Sequence, residues 1–294
     1  MVKKITDFIL FSSMYIALCA VIMVYQVQLL FPQVILSPVF YVFIFFSTVC
    51  SYNFHWYLTQ HSATGSERLQ WAVKYKSLHL ILYIVGLLGT IAAFMPLIRH
   101  WRWIALGGFV TFLYSAPKIP QKIFMGLRQI AIGKTIFLSF VWMYVTTLLP
   151  LLVAGTAWQP AFTWLALGRF FLIYAICILF DYRDREDDKA DGIRSMITWL
   201  NERGINYLFA FSIGLFIVFT AALYDSGLKP LIILLLLLPG IIVAALYNYA
   251  KKNFSDYLYY FVLDGLMMLS GLLLMVVRIW LFLPPWLHLQ QQGQ

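Results

Sequence analysis

Long apolar runs recur along the whole sequence, and they decide the class of fold. Nine segments qualify, or nearly qualify, as membrane spans of about 20 mostly apolar residues. They cover residues 6–30, 37–60, 77–98, 101–116, 134–155, 161–182, 204–224, 229–249 and 257–282. The sequence therefore predicts an all-α membrane protein with nine transmembrane helices, organised as a single domain over residues 1–294.

The charge composition supports this class and excludes another. Only 11% of the residues are charged, whereas soluble domains carry about 25%. The formal net charge of +9 would suggest nucleic acid in a soluble protein, but here the basic residues lie in short loops between apolar runs. We therefore expect membrane lipids around the protein and no nucleic-acid partner.

The distribution of basic residues predicts the orientation. With the N-terminus in the cytoplasm, 16 of the 21 lysines and arginines fall on the inside, as the positive-inside rule requires. We expect an integral inner (cytoplasmic) membrane protein with a cytoplasmic N-terminus and an outside C-terminus. The inside loops 61–76, 117–133 and 183–203 are the long ones, and they are predicted to form a cytoplasmic cap.

An acidic cluster follows the sixth apolar run directly. Residues 181–191 hold six of the chain's 12 carboxylates. On a helix, Asp181, Asp184, Asp188 and Asp191 share a stripe about 80° wide. Carboxylates this close repel each other unless a cation compensates, and their oxygens suit Mg²⁺. We predict Mg²⁺ at Asp181, Asp184 and Asp188; the alternative is a solvated loop neutralised by its own basic residues.

The same stretch resembles the second aspartate-rich motif of the UbiA superfamily of intramembrane prenyltransferases. It reads Asp181-x-x-Asp184-x-x-x-Asp188-x-x-x-Gly192-Ile-Arg-Ser195. The stretch Leu113-Tyr114-Ser115-Ala-Pro117-Lys118 is similar to the family's Tyr-Ser-x-Pro-x-Lys segment. The resemblance implies a UbiA-like bundle of nine helices that binds a diphosphate through Mg²⁺. It also implies that Tyr114, Lys118 and Arg194 contribute to substrate binding.

The first aspartate-rich motif of that family, NDxxDxxxD, is degenerate here. It aligns with the stretch that begins at Asn53, where Phe54, Tyr57 and His61 stand in place of the three aspartates. The family places its two motifs across a cavity from each other, so half of the implied carboxylate set is missing.

The polar residues of this stretch are candidates for replacing the aspartates. Asn53, Tyr57 and His61 lie on one face of a helix and can hydrogen-bond a diphosphate, and His61 can act as a general base. The candidate catalytic residues are therefore Asp181, Asp184, Asn53 and His61, with Tyr57 as a substrate-binding residue. The alternative is that Tyr57 and His61 only anchor the span at the lipid headgroups.

Two ionisable residues fall inside predicted spans. Asp264 lies roughly 10 Å deep in the ninth, where a carboxylate is costly and by default functional. We interpret it as a substrate-binding residue or proton relay; the alternative is a structural hydrogen bond to another helix. Arg169, in the sixth span, is explained by snorkelling or pairing.

The leading hypothesis is a UbiA-like membrane prenyltransferase that uses Mg²⁺ to move an isoprenyl group from a polyprenyl diphosphate to a lipid or aromatic acceptor. The second is a UbiA-fold protein repurposed for lipid binding or assembly. The third, a transporter, would predict inverted repeats, and the sequence shows no convincing repeat.

Overall fold

The computed structural model describes residues 2–59, 66–115, 134–190 and 195–282 of the chain, and these are helical without any strand. Six of their helices are long and apolar enough to cross a membrane, or seven if a bent N-terminal pair counts as one span. The protein is therefore an all-α integral membrane protein.

The helices have the following bounds. They are α1 (Val2–Phe11), α2 (Met14–Leu30), α3 (Pro38–Leu58), α4 (Glu67–Lys74), α5 (Lys76–Phe94), α6 (Trp101–Ser115), α7 (Lys134–Met143), α8 (Leu149–Ala154), α9 (Pro160–Arg183), α10 (Arg185–Ala190), α11 (Met196–Trp199), α12 (Glu202–Ala221), α13 (Pro230–Ala250) and α14 (Asp264–Phe282). Short 3₁₀ segments cover Met95–His100 and Tyr224–Ser226, and π-helical segments cover Tyr144–Leu148 and Leu258–Leu263.

The first predicted span is broken. The sequence predicts one helix over 6–30, but α1 and α2 meet at an angle of 59°. Ser13 stands at the junction with a φ of 69°, a left-handed conformation that few residues other than glycine adopt. α1 then lies against α4, where Lys3 Nζ is 3.2 Å from the Glu67 carboxylate. The prediction of a continuous helix here is wrong.

The run Lys76–Ser115 counts as one candidate span of 40 residues, but its contacts show a reversal. Near its start, His79 Nδ1 lies 2.6 Å from Asn53 Oδ1. At its end, Ser115 Oγ lies 3.4 Å from His55 Nδ1. A straight helix of this length would separate its ends by about 60 Å, whereas both ends reach the same turn of α3. α5 and α6 are therefore antiparallel, and the chain turns back in the 3₁₀ segment.

The predicted number of nine spans is not confirmed. Length and hydropathy give six or seven, and α3 is not among them although it has 21 residues. The predicted cytoplasmic cap is not confirmed either, because much of loops 61–76 and 117–133 lies outside the described residues.

α9 is the central helix of the bundle and α5–α6 is peripheral. Of the apolar window of α9, 72% is buried inside the protein, against 17% for the α5–α6 run. α3, α6 and α9 all end at the same end of the bundle, which we call the polar end.

Arg169, near the middle of α9, is buried rather than snorkelling. Its guanidinium donates to the Thr146 carbonyl at 2.5 Å and to Gln26 Oε1 at 2.6 Å. Pro150 has no amide hydrogen, so the Thr146 carbonyl lacks the donor that an α-helix supplies four residues later. Arg169 replaces that donor. Gln26 in turn donates to Ser270 Oγ at 2.8 Å, which connects α2, α9 and α14 in mid-bundle.

Candidate functional site

A cavity of about 1340 Å³ extends into the bundle from the polar end. Along α3 it is lined from Phe43 to Thr59, roughly 24 Å at 1.5 Å per residue. Most of its wall is apolar or aromatic, and its charged side chains gather at the polar end. On the α5 side the cavity is lined by Leu87 and Ile91, and only 17% of the apolar window of the α5–α6 run is buried inside the protein, so this wall lies at the periphery of the bundle.

The carboxylates predicted to bind metal lie together in this cavity. α9 carries Asp181 in its last turn, and α10 follows directly, with the Asp188 amide donating to the Asp184 carbonyl at 2.9 Å. All three aspartates line the cavity, and Asp181 and Asp188 are buried. The Asp181 carboxylate accepts a hydrogen bond from Thr135 Oγ1 of α7. All three therefore open onto the same cavity, with Asp184 at the break between α9 and α10 and not within one continuous helix.

Arg183 connects the acidic helix to the segment before α14. Its Nε donates to Asp184 Oδ1 at 2.8 Å, and its Nη2 donates to the Tyr260 hydroxyl at 3.0 Å. Its Nη1 lies 3.7 Å from Asp256 Oδ1. This guanidinium thus lies beside two carboxylates and joins the acidic helix to the segment that carries Tyr260.

Arg68 supplies a second positive charge to the cavity, and Asp256 holds its backbone in place. The sequence pattern does not identify either residue. Asp256 accepts from the Arg68 amide at 2.8 Å and from Ser66 Oγ at 3.0 Å. The Arg68 guanidinium is buried, lies 4.0 Å from the centroid of the Trp56 ring, and donates to the Phe11 carbonyl. Burial lowers the pKa of Arg68 to about 9, so it remains charged at neutral pH. Only the fold identifies this pair, because residues 68 and 256 are far apart in the chain.

The wall facing the aspartates comes from α3 and α6. Tyr114, predicted to bind substrate, lines the cavity there and stacks on His55 with ring centroids 5.3 Å apart and 15° between planes. His55 and Ser115 line the cavity as well. The sequence pattern does not identify His55, because this residue lies off the polar face that begins at Asn53.

Asn53 and Tyr57 are placed away from the cavity lining. Asn53 is fully buried, and its Nδ2 donates to the Ser12 carbonyl at 3.0 Å and to the Val49 carbonyl at 2.8 Å. Its Oδ1 pairs with His79. The amide is fully engaged in holding α3 to α5 and to the break between α1 and α2, which argues against the predicted catalytic role. The Tyr57 ring lies 5.2 Å from Lys76 Nζ, which places it at the α3–α5 surface and not in the cavity.

Asp264 lines the cavity at the start of α14. It lies one helical turn beyond Tyr260, which places it deeper in the bundle than the acidic helix. Three other predicted site residues, His61, Lys118 and Arg194, lie outside the described residues.

The charge of the cavity favours a cation at the polar end. There the described lining includes four aspartates and two arginines, a formal excess of two negative charges, with Asp264 deeper in the cavity. Within the described ranges, no three His, Cys, Asp or Glu side chains converge closely enough to hold a metal ion by themselves. Mg²⁺ commonly takes one or two carboxylates together with water and substrate phosphates, and the oxygen donors of Asp181, Asp184 and Asp188 fit that open coordination.

Comparison with protein families gives one finding. A model described as the UbiA prenyltransferase family matches residues 66–268, more than two thirds of the 294-residue chain. The match includes the acidic helix and begins beyond the degenerate stretch that starts at Asn53. Comparison with curated proteins and with solved structures gave no match. On the extent of the family match, the chain belongs to the UbiA prenyltransferase family.

Proposed function

We propose that this protein is a Mg²⁺-dependent membrane prenyltransferase that moves an isoprenyl group from a polyprenyl diphosphate to a lipid or aromatic acceptor. The proposal rests on one continuous cavity that is charged at one end and apolar along the rest. Carboxylates and guanidiniums line its polar end, and a mostly apolar, aromatic wall lines the rest. This division matches a donor that is highly charged at one end and hydrocarbon at the other.

The diphosphate belongs at the polar end. Asp181, Asp184 and Asp188 would hold Mg²⁺, which supplies charge neutralisation for the leaving diphosphate. Arg68 and Arg183 add fixed positive charge in a partly desolvated site, where such charge stabilises a departing anion strongly.

The isoprenyl chain belongs in the apolar body of the cavity. The mostly apolar and aromatic lining matches a hydrocarbon tail, and since a lipid-borne tail is already out of water, it is packing that holds the tail there. The wall formed by α5 and α6 lies at the periphery of the bundle, which suits a donor that arrives from the membrane.

The wall opposite the acidic helix takes the place of the missing first motif. His55, Tyr114 and Ser115 offer hydrogen bonds instead of carboxylates. We propose that the donor is held by metal on one side only and by neutral or cationic groups on the other.

The topology completes the proposal. Because α5 and α6 are antiparallel and α3 is long enough to span, the described helices fit nine spans, with α1 and α2 counted as one. The excess of basic residues in the loops of one side supports a cytoplasmic N-terminus, an outside C-terminus and a location in the inner membrane. The polar end then faces the cytoplasm, where soluble diphosphate can leave.

The test is calorimetric binding of geranylgeranyl diphosphate to the purified protein in detergent, with Mg²⁺ and with EDTA. We expect EDTA to weaken binding by tenfold or more, and Asp184→Asn to do the same, since each removes a charge-assisted contact of roughly 1.5–3 kcal/mol. Glu186→Gln is the matched control. Glu186 lies on α10 beside Asp184, but its exposed side chain pairs with Lys189 at 2.8 Å and does not line the cavity.

Binding that is indifferent to metal and to Asp184 would overturn the proposal. It would leave a member of the UbiA family that uses its cavity for another lipid ligand.

A further inference from the structure

A layer of cavity-lining residues lies one helical turn deeper than the polar end. Its members Tyr52, Cys177 and Asp264 line the cavity. Each is four residues, about 6 Å, deeper along its helical segment than a lining residue of the polar end (Trp56, Asp181 and Tyr260, respectively). The layer therefore lies directly below the charged groups of the polar end.

The reacting carbon of the donor falls in this layer. In a prenyl diphosphate, C1 is bonded directly to a diphosphate oxygen. If Asp181 and its neighbours hold the diphosphate, C1 and the adjoining double bond lie immediately beneath it, beside Tyr52 and Asp264.

Asp264 is the acidic member of this layer, and its carboxylate is available. Among the described residues it has no hydrogen-bond or ion-pair partner, and its partial exposure is towards the cavity that it lines. Of the neighbouring hydroxyls, that of Tyr15 donates elsewhere, whereas that of Tyr52 accepts a hydrogen bond and keeps its own hydrogen for a ligand. Tyr15 donates to the Phe261 carbonyl at 2.9 Å, and Tyr52 accepts from Trp142 Nε1 at 3.1 Å. A carboxylate with no protein partner in an apolar wall is costly to maintain, which indicates a ligand-directed role.

We propose that Asp264 faces C1 of the donor and accepts the proton that the acceptor releases; this rests on the proposed function. In the step, the C1–O bond breaks and the diphosphate leaves with the bonding electron pair. The acceptor's nucleophilic atom forms the new bond to C1, and the proton that it sheds passes to an Asp264 oxygen. When ionised, the same carboxylate stabilises the positive charge that develops on C1 as the diphosphate departs. The acceptor is accordingly one whose reacting group loses a proton on alkylation.

The test uses stable analogues, since it does not require the acceptor. Geranylgeranylamine carries a positive charge where C1 becomes cationic, and geranylgeraniol is its neutral counterpart. We measure the affinity of both in the presence of Mg²⁺ and inorganic diphosphate, for the wild-type protein, Asp264→Asn and Asp264→Glu. Asp225→Asn, an exposed aspartate in the 3₁₀ segment after α12, is the control.

We expect the wild-type protein to prefer the amine and Asp264→Asn to reduce that preference by roughly tenfold or more, because a carboxylate attracts a nearby cation strongly in a poorly solvated site. Asp264→Glu should retain much of the preference, and Asp225→Asn all of it. Asp264→Asn should still bind geranylgeranyl diphosphate in a Mg²⁺-dependent way, which shows that the variant is folded.

An unchanged preference in Asp264→Asn, or none in the wild-type protein, would overturn the inference while leaving the proposed function standing. If the wild-type protein shows no Mg²⁺-dependent donor binding, the proposed function is wrong and this inference is wrong with it.

Discussion

Replacing Asn53 by alanine separates a structural role from a catalytic one. The side chain makes three buried hydrogen bonds, at 3.0 and 2.8 Å to backbone carbonyls and at 2.6 Å to His79. At about 1 kcal/mol each, Asn53→Ala should lower the free energy of unfolding by about 3 kcal/mol. For a protein of this size that corresponds to a fall in Tm of roughly 6–12 °C. Affinity of the folded protein for geranylgeranyl diphosphate should stay within about threefold of wild type.

Thermal unfolding in detergent and calorimetry on the same preparation give both quantities. Asn253→Ala is the control, since the amide of Asn253 bonds to the Tyr249 hydroxyl at the surface and its loss should cost less than about 1 kcal/mol. An Asn53→Ala protein with normal Tm and a tenfold loss of donor affinity would refute the reasoning and return Asn53 to the site.

Three further outcomes are expected. A Cβ at Gly86 would lie 2.7 Å from the Cys50 backbone nitrogen, so Gly86→Ala should destabilise by about 1–3 kcal/mol, whereas Gly214→Ala, with nothing within 4 Å, should be neutral; equal Tm values would contradict this. Arg169→Gln should lower the Tm clearly but leave donor affinity unchanged, and weaker binding at normal Tm would place Arg169 in the site. Asp256→Asn should weaken donor binding, as measured by calorimetry, because Asp256 positions both arginines of the polar end, accepting from the Arg68 amide at 2.8 Å and lying 3.7 Å from Arg183 Nη1; unchanged affinity would argue against that role.

Some features of this fold are local properties of the sequence. The apolar run before Asp181 predicts α9 closely, and the spacing of Asp181, Asp184 and Asp188 predicts that all three open to one side, because both depend only on helix geometry. The break at Ser13 has no such signal. No glycine or proline marks it, and the left-handed residue is held by contacts that α1 makes with distant parts of the chain.

The sequence pattern could not predict which face of α3 points to the cavity. A polar face on a membrane helix can turn towards a cavity, a lipid headgroup or another helix, and only packing decides which. Here the face with Asn53 and Tyr57 turns to α5, and His55 turns to the cavity. Asp256 and Arg68 meet by tertiary contact alone. The buried position of Arg169 could have been predicted, because Pro150 leaves the Thr146 carbonyl without an amide donor in a neighbouring span.

The two π-helical segments bear on how the protein changes shape. Each presents a carbonyl to another helix: Phe261 to Tyr15 of α2 directly, and Thr146 to Arg169, which is held by Gln26 of α2. α2 thus fixes the axial position of the helices on either side of it, since a longitudinal slip of either would break one of these hydrogen bonds. The α5–α6 hairpin, only 17% buried in its apolar window, faces lipid, but the Asn53–His79 hydrogen bond holds α5 to α3, so a bulky chain displaces side chains on this face before it moves the helix. Admission of a bulky lipid chain is therefore expected to leave the spacing of the carboxylates at the polar end undisturbed.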